Sequence, residues 1–147
     1  MNRPVILDAG PLGRIAHPRP NQEVITWLEH LVTKGIVVII PEIADYEVRR
    51  NLLLADLTKS IERLDFLKHT LIYLPLNTSV MLKAAELWAE ARKVGQPTAD
   101  VKALDGDVIL AAQALDIGAI IATENVSHLS RFVEAQHWKD LKVEDGA

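Results

Sequence analysis

Short apolar runs alternate along the chain with longer segments in which apolar residues recur at helical spacing. The runs PVILD at 4–8, IVVII at 36–40 and AIIAT at 119–123 predict three strands, and the run at 72–76 is a fourth candidate. The run at 36–40 lacks polar alternation, which indicates a strand buried on both faces, as in a parallel sheet. We therefore expect a sheet whose strands are connected by helices.

Segments with apolar residues at i, i+3, i+4 and i+7 predict the helices. These segments span 21–34, 41–71 with a break near 56–60, 77–93 and 104–116. Asn21 can cap the first of them and Gly35 ends it. Strands that alternate with helices indicate a three-layer α/β fold, with a central, mainly parallel sheet flanked by helices.

The remaining segments predict connections and chain ends. Gly10, Pro11 and Gly13 favour a turn after the first strand, and 95–98 is expected to be a loop. Beyond residue 123 we expect a polar loop, a short helix near 130–138 and an edge strand at 141–143. Residues expected on buried helix faces are Val24, Trp27, Leu28, Leu31, Val80, Ala84, Leu87, Trp88 and Ala91.

Size and charge narrow the possible classes of protein. A chain of 147 residues with 49% hydrophobic residues is expected to form one globular domain, 1–147. Its net charge of −4 argues against nucleic-acid binding by bulk electrostatics, so any such binding needs a local basic patch. The absence of cysteine excludes disulfides and thiolate metal sites. With no apolar run long enough for a membrane helix and no export signal, we expect a cytoplasmic protein without membrane attachment.

Polar side chains, mostly acidic, follow the predicted strands or begin the helix that leads into the last of them. They are Asp8 after the first strand, Glu42, Asp45 and Glu47 after the second, Asp105 and Asp107 at the helix start, and Asn125 and His128 after the last. Ligand sites in parallel α/β sheets form beyond the carboxyl ends of the strands. Carboxylates that converge there repel each other unless a cation neutralises them, and an all-oxygen site favours Mg²⁺ or Mn²⁺ over zinc.

Three of these acids also have a purely structural interpretation. Asp8 could be a helix N-cap, and Asp107 could be a first-turn acid favoured by the helix dipole. Glu47 could be an exposed helical residue that pairs with Arg50 or Asn51. The sequence alone leaves both interpretations open for each residue.

Four segments of the chain carry a resemblance to a known family. PVILDAGPL at 4–12, PEIADYEVRRNL at 41–52, LDGDVILAAQAL at 104–115 and IIATENVSHLSRF at 120–132 resemble the motif blocks of PIN domains, in the same order and at suitable spacing. The resemblance spans nearly the whole chain and is greatest to the bacterial toxin ribonucleases of VapC type. It implies a metal-dependent endoribonuclease that is the toxin of a type II toxin–antitoxin pair.

The resemblance also implies roles for particular residues. Asp8, Glu47 and Asp107 would bind Mg²⁺ or Mn²⁺ and form the catalytic centre, with Glu47 activating the attacking water. Asp105, two residues before the usual aspartate, is a further candidate ligand. Asn125 is the candidate neutral ligand for a second ion, because the chain continues with His128 where many family members have an acid.

The resemblance further implies an RNA substrate, a small antitoxin and a homodimer. The cations expected to bind RNA are Arg14, Arg49, Arg50, Lys102 and Arg131, although each could instead be an ordinary surface residue or pair with a nearby acid. With few aromatic residues, a base-stacking platform is not expected. The alternative function is a catalytically weak or silent PIN-like module that binds RNA or protein.

Overall fold

The computed structural model describes residues 3–95 and 103–141, which form a five-stranded parallel sheet flanked by helices. The strands are β1 (Val5–Leu7), β2 (Val38–Pro41), β3 (Ile72–Leu74), β4 (Ile120–Thr123) and β5 (Ala135–His137), in the order β3-β2-β1-β4-β5. β1 is central, and the carboxyl ends of all five strands point the same way. The predicted architecture is confirmed.

Seven helices in the described ranges cover the sheet. They are α1 (Ala9–Ala16), α2 (Gln22–Thr33), α3 (Glu42–Leu54), α4 (Thr58–Thr70), α5 (Thr78–Lys93), α6 (Ala103–Ile117) and α7 (Val126–Leu129). Helices α1 to α4 pack on the face that carries Val5 and Leu7 of β1, whereas α6 packs on the opposite face beneath Ile6. Helix α5 packs on α6 and completes the layer on that side. Among the described helices, none is long and apolar enough to cross a membrane.

Local sequence signals explain most helix boundaries. The Asn21 side chain accepts a hydrogen bond from the Val24 backbone N–H at 3.1 Å, and Gly35 after the helix has a φ of +79°. The break between α3 and α4 lies at Asp56, whose φ of +55° cannot continue a helix.

Burial confirms the predicted helix faces except at two tryptophans. The predicted aliphatic residues of α2 and α5 are all buried: Val24, Leu28, Leu31, Val80, Ala84, Leu87 and Ala91. Trp27 is only half-buried, and its indole N–H donates to the Leu141 carbonyl. The prediction for Trp88 was wrong, because its side chain is 40% exposed beside a surface groove.

The segment after β1 is helix α1 rather than the predicted turn. Asp8 caps this helix, and Pro11 lies in its first turn, where backbone N–H groups have no helical partner in any case. The proline therefore does not interrupt the helix, and the glycines are accommodated within it.

The chain after β4 also differs from the prediction. The helix expected near 130–138 is absent: α7 lies earlier, at Val126–Leu129, and Ala135–His137 forms the edge strand β5. β5 pairs with the free edge of β4, and the Ile121 N–H donates to the Glu134 carbonyl at 3.0 Å. Leu141 is not part of a strand, and the rest of the predicted strand at 141–143 lies outside the described residues, as do 96–98 of the predicted loop.

Candidate functional site

Asp8 lies at the carboxyl end of the central strand and is held by two short hydrogen bonds. Its Oδ1 accepts from the Ala9 N–H at 2.7 Å, which caps α1, and its Oδ2 accepts from the Thr123 hydroxyl at 2.7 Å. Thr123 ends β4, the neighbour of β1. Asp8 is therefore the N-cap that the structural interpretation required, and it also lies at the sheet edge where a site was expected.

Glu47 of α3 and Asp107 of α6 approach Asp8 from opposite faces of the sheet. The two helices meet at Gly106, where an added Cβ atom would lie 3.0 Å from Glu47 Oε2. Asp107 Oδ2 is buried and has no hydrogen-bond partner within the described chain. An unpartnered buried carboxylate oxygen costs free energy, a cost that a bound cation or an ordered water molecule would offset.

The three acids perturb one another. Burial and the charge of Asp8 raise the pKa of Glu47 to about 6, and the same two causes raise the pKa of Asp107 to about 6. Burial also raises the pKa of Asp8, although its hydrogen bonds to Thr123 and Ala9 oppose this increase. At neutral pH the cluster therefore holds carboxylates in an environment that disfavours their charge.

Three cationic or ionisable side chains flank the acidic cluster. Arg50 Nη2 lies 4.0 Å from Glu47 Oε2. His128 and Arg131 lower the pKa of Asp107, which places both of them near its carboxylate. The Arg131 Nε donates to the His128 carbonyl at 3.0 Å, and its Nη2 is buried without a hydrogen-bond partner among the described residues.

The chemistry of the cluster fits a hard divalent cation, because its donors are carboxylate oxygens and one of them is buried without a partner. No three His, Asp or Glu side chains in the described ranges are already arranged as a complete set of metal ligands. The donor types therefore suit Mg²⁺ or Mn²⁺, whereas the side-chain positions are not those of a closed metal cage.

The structure places Asp105 away from this cluster, whereas Asn125 adjoins it through its backbone. The Asn125 N–H donates at 2.8 Å to the Thr123 hydroxyl that in turn donates to Asp8. Asp105 is exposed and lines a groove with Met81 and Trp88 of α5. Two residues along a helix turn the side chain by about 200°, so Asp105 and Asp107 must point in nearly opposite directions. Asn125 is exposed, and its side-chain amide makes no hydrogen bond in the part of the chain described.

The cations predicted to bind RNA are held in different ways. Arg49 donates to Asp45 at 3.0 and 3.1 Å and to Asp65 at 2.7 Å, and these partners raise its pKa above the usual range. Arg49 therefore forms a structural ion pair and is not available to bind RNA. Arg50 and Arg131 adjoin the acidic cluster as described, and Lys102 lies outside the described residues.

Arg14 is paired with an acid that the sequence interpretation missed. Its Nε lies 2.6 Å from Glu124 Oε2, which also accepts from the Trp138 indole N–H at 3.2 Å. Glu124 packs so closely on α1 that a Cβ at Gly10 would lie 2.9 Å from Glu124 Oε1, and its charge helps to raise the pKa of Asp8. Because Glu124 directly follows β4, the rule that selected Asp8 could have identified it.

The other two acids that follow β2 have structural contacts. Glu42 Oε1 accepts from the Leu76 N–H at 2.7 Å and connects α3 to the chain after β3. Asp45 is buried and pairs with Arg49 and with Lys68, whose Nζ lies 3.8 Å away. Neither acid contributes to the cluster around Asp8.

Comparisons with known proteins identify the fold. No family model matches the chain, and no curated protein matches it. Among solved structures, VapBC2 from Rickettsia felis, crystallised with a fragment of promoter DNA, has a TM-score of 0.74 at 18% identity, covering 91% of this chain and 98% of that chain.

Two further structures give the same result. VapBC-1 from nontypeable Haemophilus influenzae has a TM-score of 0.71 at 19% identity, covering 92% of this chain and 98% of that chain. FitAcB from Neisseria gonorrhoeae has a TM-score of 0.65 at 22% identity, covering 93% and 99% respectively. The chain therefore has the fold of VapC-type PIN domains, the fold that its four sequence motifs predict.

Proposed function

We propose that the protein is a Mg²⁺- or Mn²⁺-dependent endoribonuclease of PIN type and the toxin of a type II toxin–antitoxin pair. The observation that carries the proposal is the convergence of Asp8, Glu47 and Asp107, with a buried Asp107 oxygen that lacks a partner. The similarity of the chain's fold to the VapBC and FitAcB structures agrees with the resemblance of its motifs to VapC-type toxin ribonucleases, which supports the proposal.

In this proposal Asp8 and Asp107 would hold the ion, and Glu47 would accept a proton from the attacking water. The bound ion supplies polarisation of the scissile phosphate and acidification of water. Burial raises the pKa of Glu47 in the free protein, which makes this carboxylate a better acceptor for a proton of the attacking water than an exposed glutamate. The new P–O bond forms as the bond to the 3′ oxygen breaks and that oxygen takes up a proton from solvent, so the products carry a 5′-phosphate and a 3′-hydroxyl. Arg50 beside Glu47 would contact the phosphate.

Purified protein should cut single-stranded or loop RNA in millimolar Mg²⁺ or Mn²⁺ and should stop cutting in EDTA. End-group analysis should find a 5′-phosphate on the downstream product. RNA binding without cleavage in either metal would instead identify the non-catalytic module. Cleavage that persists in EDTA would contradict the metal requirement.

We also propose that a small antitoxin inhibits the protein by entering the acidic cluster. Carboxylates around Asp8 attract an Arg or Lys side chain, which would form charge-assisted hydrogen bonds in place of the ion. We expect the gene adjacent to that of this protein to encode the antitoxin, and adding its product should weaken Mn²⁺ binding. Full inhibition with unchanged Mn²⁺ affinity would show that the inhibitor acts away from the cluster.

A further inference from the structure

We propose that a basic pocket beside α1 binds the phosphate backbone of the RNA strand next to the bond that is cut. This inference rests on the proposed function. The pocket, here the α1 pocket, has a volume of about 550 Å³, and its polar lining comprises Arg14, His17, Arg19, Asn21 and Glu124. Nothing in the catalytic proposal uses it.

The α1 pocket is adjacent to the acidic cluster. Gly10 and Gly13 of α1 line it and also line a second cavity, of about 310 Å³, which contains Glu47 and Arg50. The two cavities thus lie on either side of α1, and between them this helix presents the glycines Gly10 and Gly13, which have no side chains. An extended RNA strand could cross α1 at these glycines, with Arg50 on one side of it and the α1 pocket on the other.

The charges in the α1 pocket suit phosphate. The Arg19 guanidinium is exposed and makes no hydrogen bond or ion pair within the described residues. Arg63 of α4 lies next to the pocket, since its Nη1 donates at 3.2 Å to the carbonyl of His17, one of the lining residues. This concentration of arginines in a chain with a net charge of −4 is the local basic patch that nucleic-acid binding requires.

In the free protein, the carboxylate of Glu124 lies where a phosphate group of the RNA would bind. Its carboxylate lies 2.6 Å from Arg14 and also accepts from Trp138, so it neutralises one of the pocket's cations. An RNA phosphate would replace Glu124 as the partner of Arg14 and would gain a bidentate contact of the kind that arginine favours. Removing the charge of Glu124 should therefore tighten RNA binding, an effect opposite to that of removing an arginine.

Binding can be measured in EDTA, where cleavage does not interfere. The probe is a fluorescently labelled single-stranded oligouridylate of about 12 nucleotides, titrated by anisotropy over a range of KCl concentrations. Arg19→Gln should weaken binding about fivefold and should lower the salt slope by about 0.7, the value for one phosphate contact on a single strand. Arg19→Lys should keep most of that slope.

Two further variants complete the test. Glu124→Gln should tighten binding, because its amide oxygen can still accept from Trp138 while Arg14 is released. Arg92→Gln is the matched control: Arg92 is an exposed arginine on α5 over the Trp88 ring, away from the α1 pocket, and its loss should leave the slope unchanged. Melting curves establish that each variant is folded.

Equal Kd values and slopes for the parent, Arg19→Gln and Glu124→Gln would overturn the inference, as would a parent that does not bind the oligonucleotide. If the parent cuts RNA in Mg²⁺ while the pocket variants bind normally, the inference fails and the proposed function stands. If the pocket variants change binding but no metal supports cleavage, the proposed function fails and the pocket remains an RNA site.

Discussion

Asp8→Asn should abolish RNA cleavage in Mg²⁺, a loss of at least about a hundredfold, and Asp107→Asn should do the same. Mg²⁺ gives up its water ligands reluctantly, so it needs anionic oxygens to hold it. An asparagine at position 8 can still accept from the Ala9 N–H and meet the Thr123 hydroxyl, so the helix cap and the fold should survive. The measurement is the initial rate of RNA cleavage by folded, purified variants.

Glu47→Gln should separate metal binding from turnover. It removes the proton acceptor and one charge while two carboxylates remain, so Mn²⁺ should still bind although cleavage is nearly lost. Asp105→Asn is the matched control for Asp107→Asn, because it makes the same chemical change on helix α6 but on the side that lines the groove with α5. Parental rates for Asp8→Asn, or losses of equal size for Asp105→Asn, would show that the site is assigned to the wrong residues.

Asp107→Asn should melt at a higher temperature than the parent in EDTA at pH 7 to 8. Burial and the charge of Asp8 raise the pKa of Asp107 from 3.8 to about 6, so its ionised form destabilises the folded state. Each pKa unit corresponds to about 1.4 kcal/mol, and because the group is only partly buried we expect a net gain of about 1 to 2 kcal/mol, or several degrees. Thermal melts monitored by circular dichroism measure it.

The pH dependence of this gain has a fixed sign. Above pH 6 the destabilisation by Asp107 is fully present, because the folded state must keep the carboxylate ionised. As the pH falls from about 6 towards 3.8, Asp107 becomes protonated in the folded protein while it is still ionised in the unfolded chain. The destabilisation therefore disappears over this range. The advantage of Asp107→Asn should therefore shrink over this window, and a constant advantage from pH 8 to pH 4 would contradict the assigned cause.

Mg²⁺ should reverse the order of the two proteins. An ion that binds only the folded state adds about 2.7 kcal/mol at a hundredfold excess over Kd, which should raise the melting temperature of the parent by several degrees. Asp107→Asn should gain little of this, with NaCl at matched ionic strength as the control. If the variant melts lower than the parent in EDTA and responds equally to Mg²⁺, Asp107 is a structural helix residue and not a ligand.

The sequence predicted those parts of the fold that depend on local pattern. The β-branched run at 36–40 and the apolar run of β1 form buried strands because neither has a polar face to present to water. The strand ends in turn located Asp8 and Glu47. β5 could not be found in this way, because its residues AQH carry no apolar pattern and the strand exists only through pairing with β4.

The parts of the site that were missed depend on contacts between distant elements. That Arg49 is held by Asp65 of α4, and Arg14 by Glu124 after β4, follows from the packing of helices that no local pattern specifies. The exclusion of Asp105 is different, since helical geometry alone sets it apart from Asp107. Helix α1 was missed because glycine and proline usually end helices, whereas here Asp8 supplies the cap and the proline lies in the first turn.

The close approach of carboxylates to Gly10 and Gly106 bears on any attempt to make this protein more robust. Both glycines lie in helices, where alanine is intrinsically favoured by up to about 1 kcal/mol, so helix-propensity rules alone would recommend alanine at either position. The new methyl group would press on Glu124 in one case and on Glu47 in the other. Alanine at these positions would therefore displace Glu47, which the proposed chemistry needs, and Glu124, which pairs with Arg14, so a stabilised version of this chain should be sought at other positions.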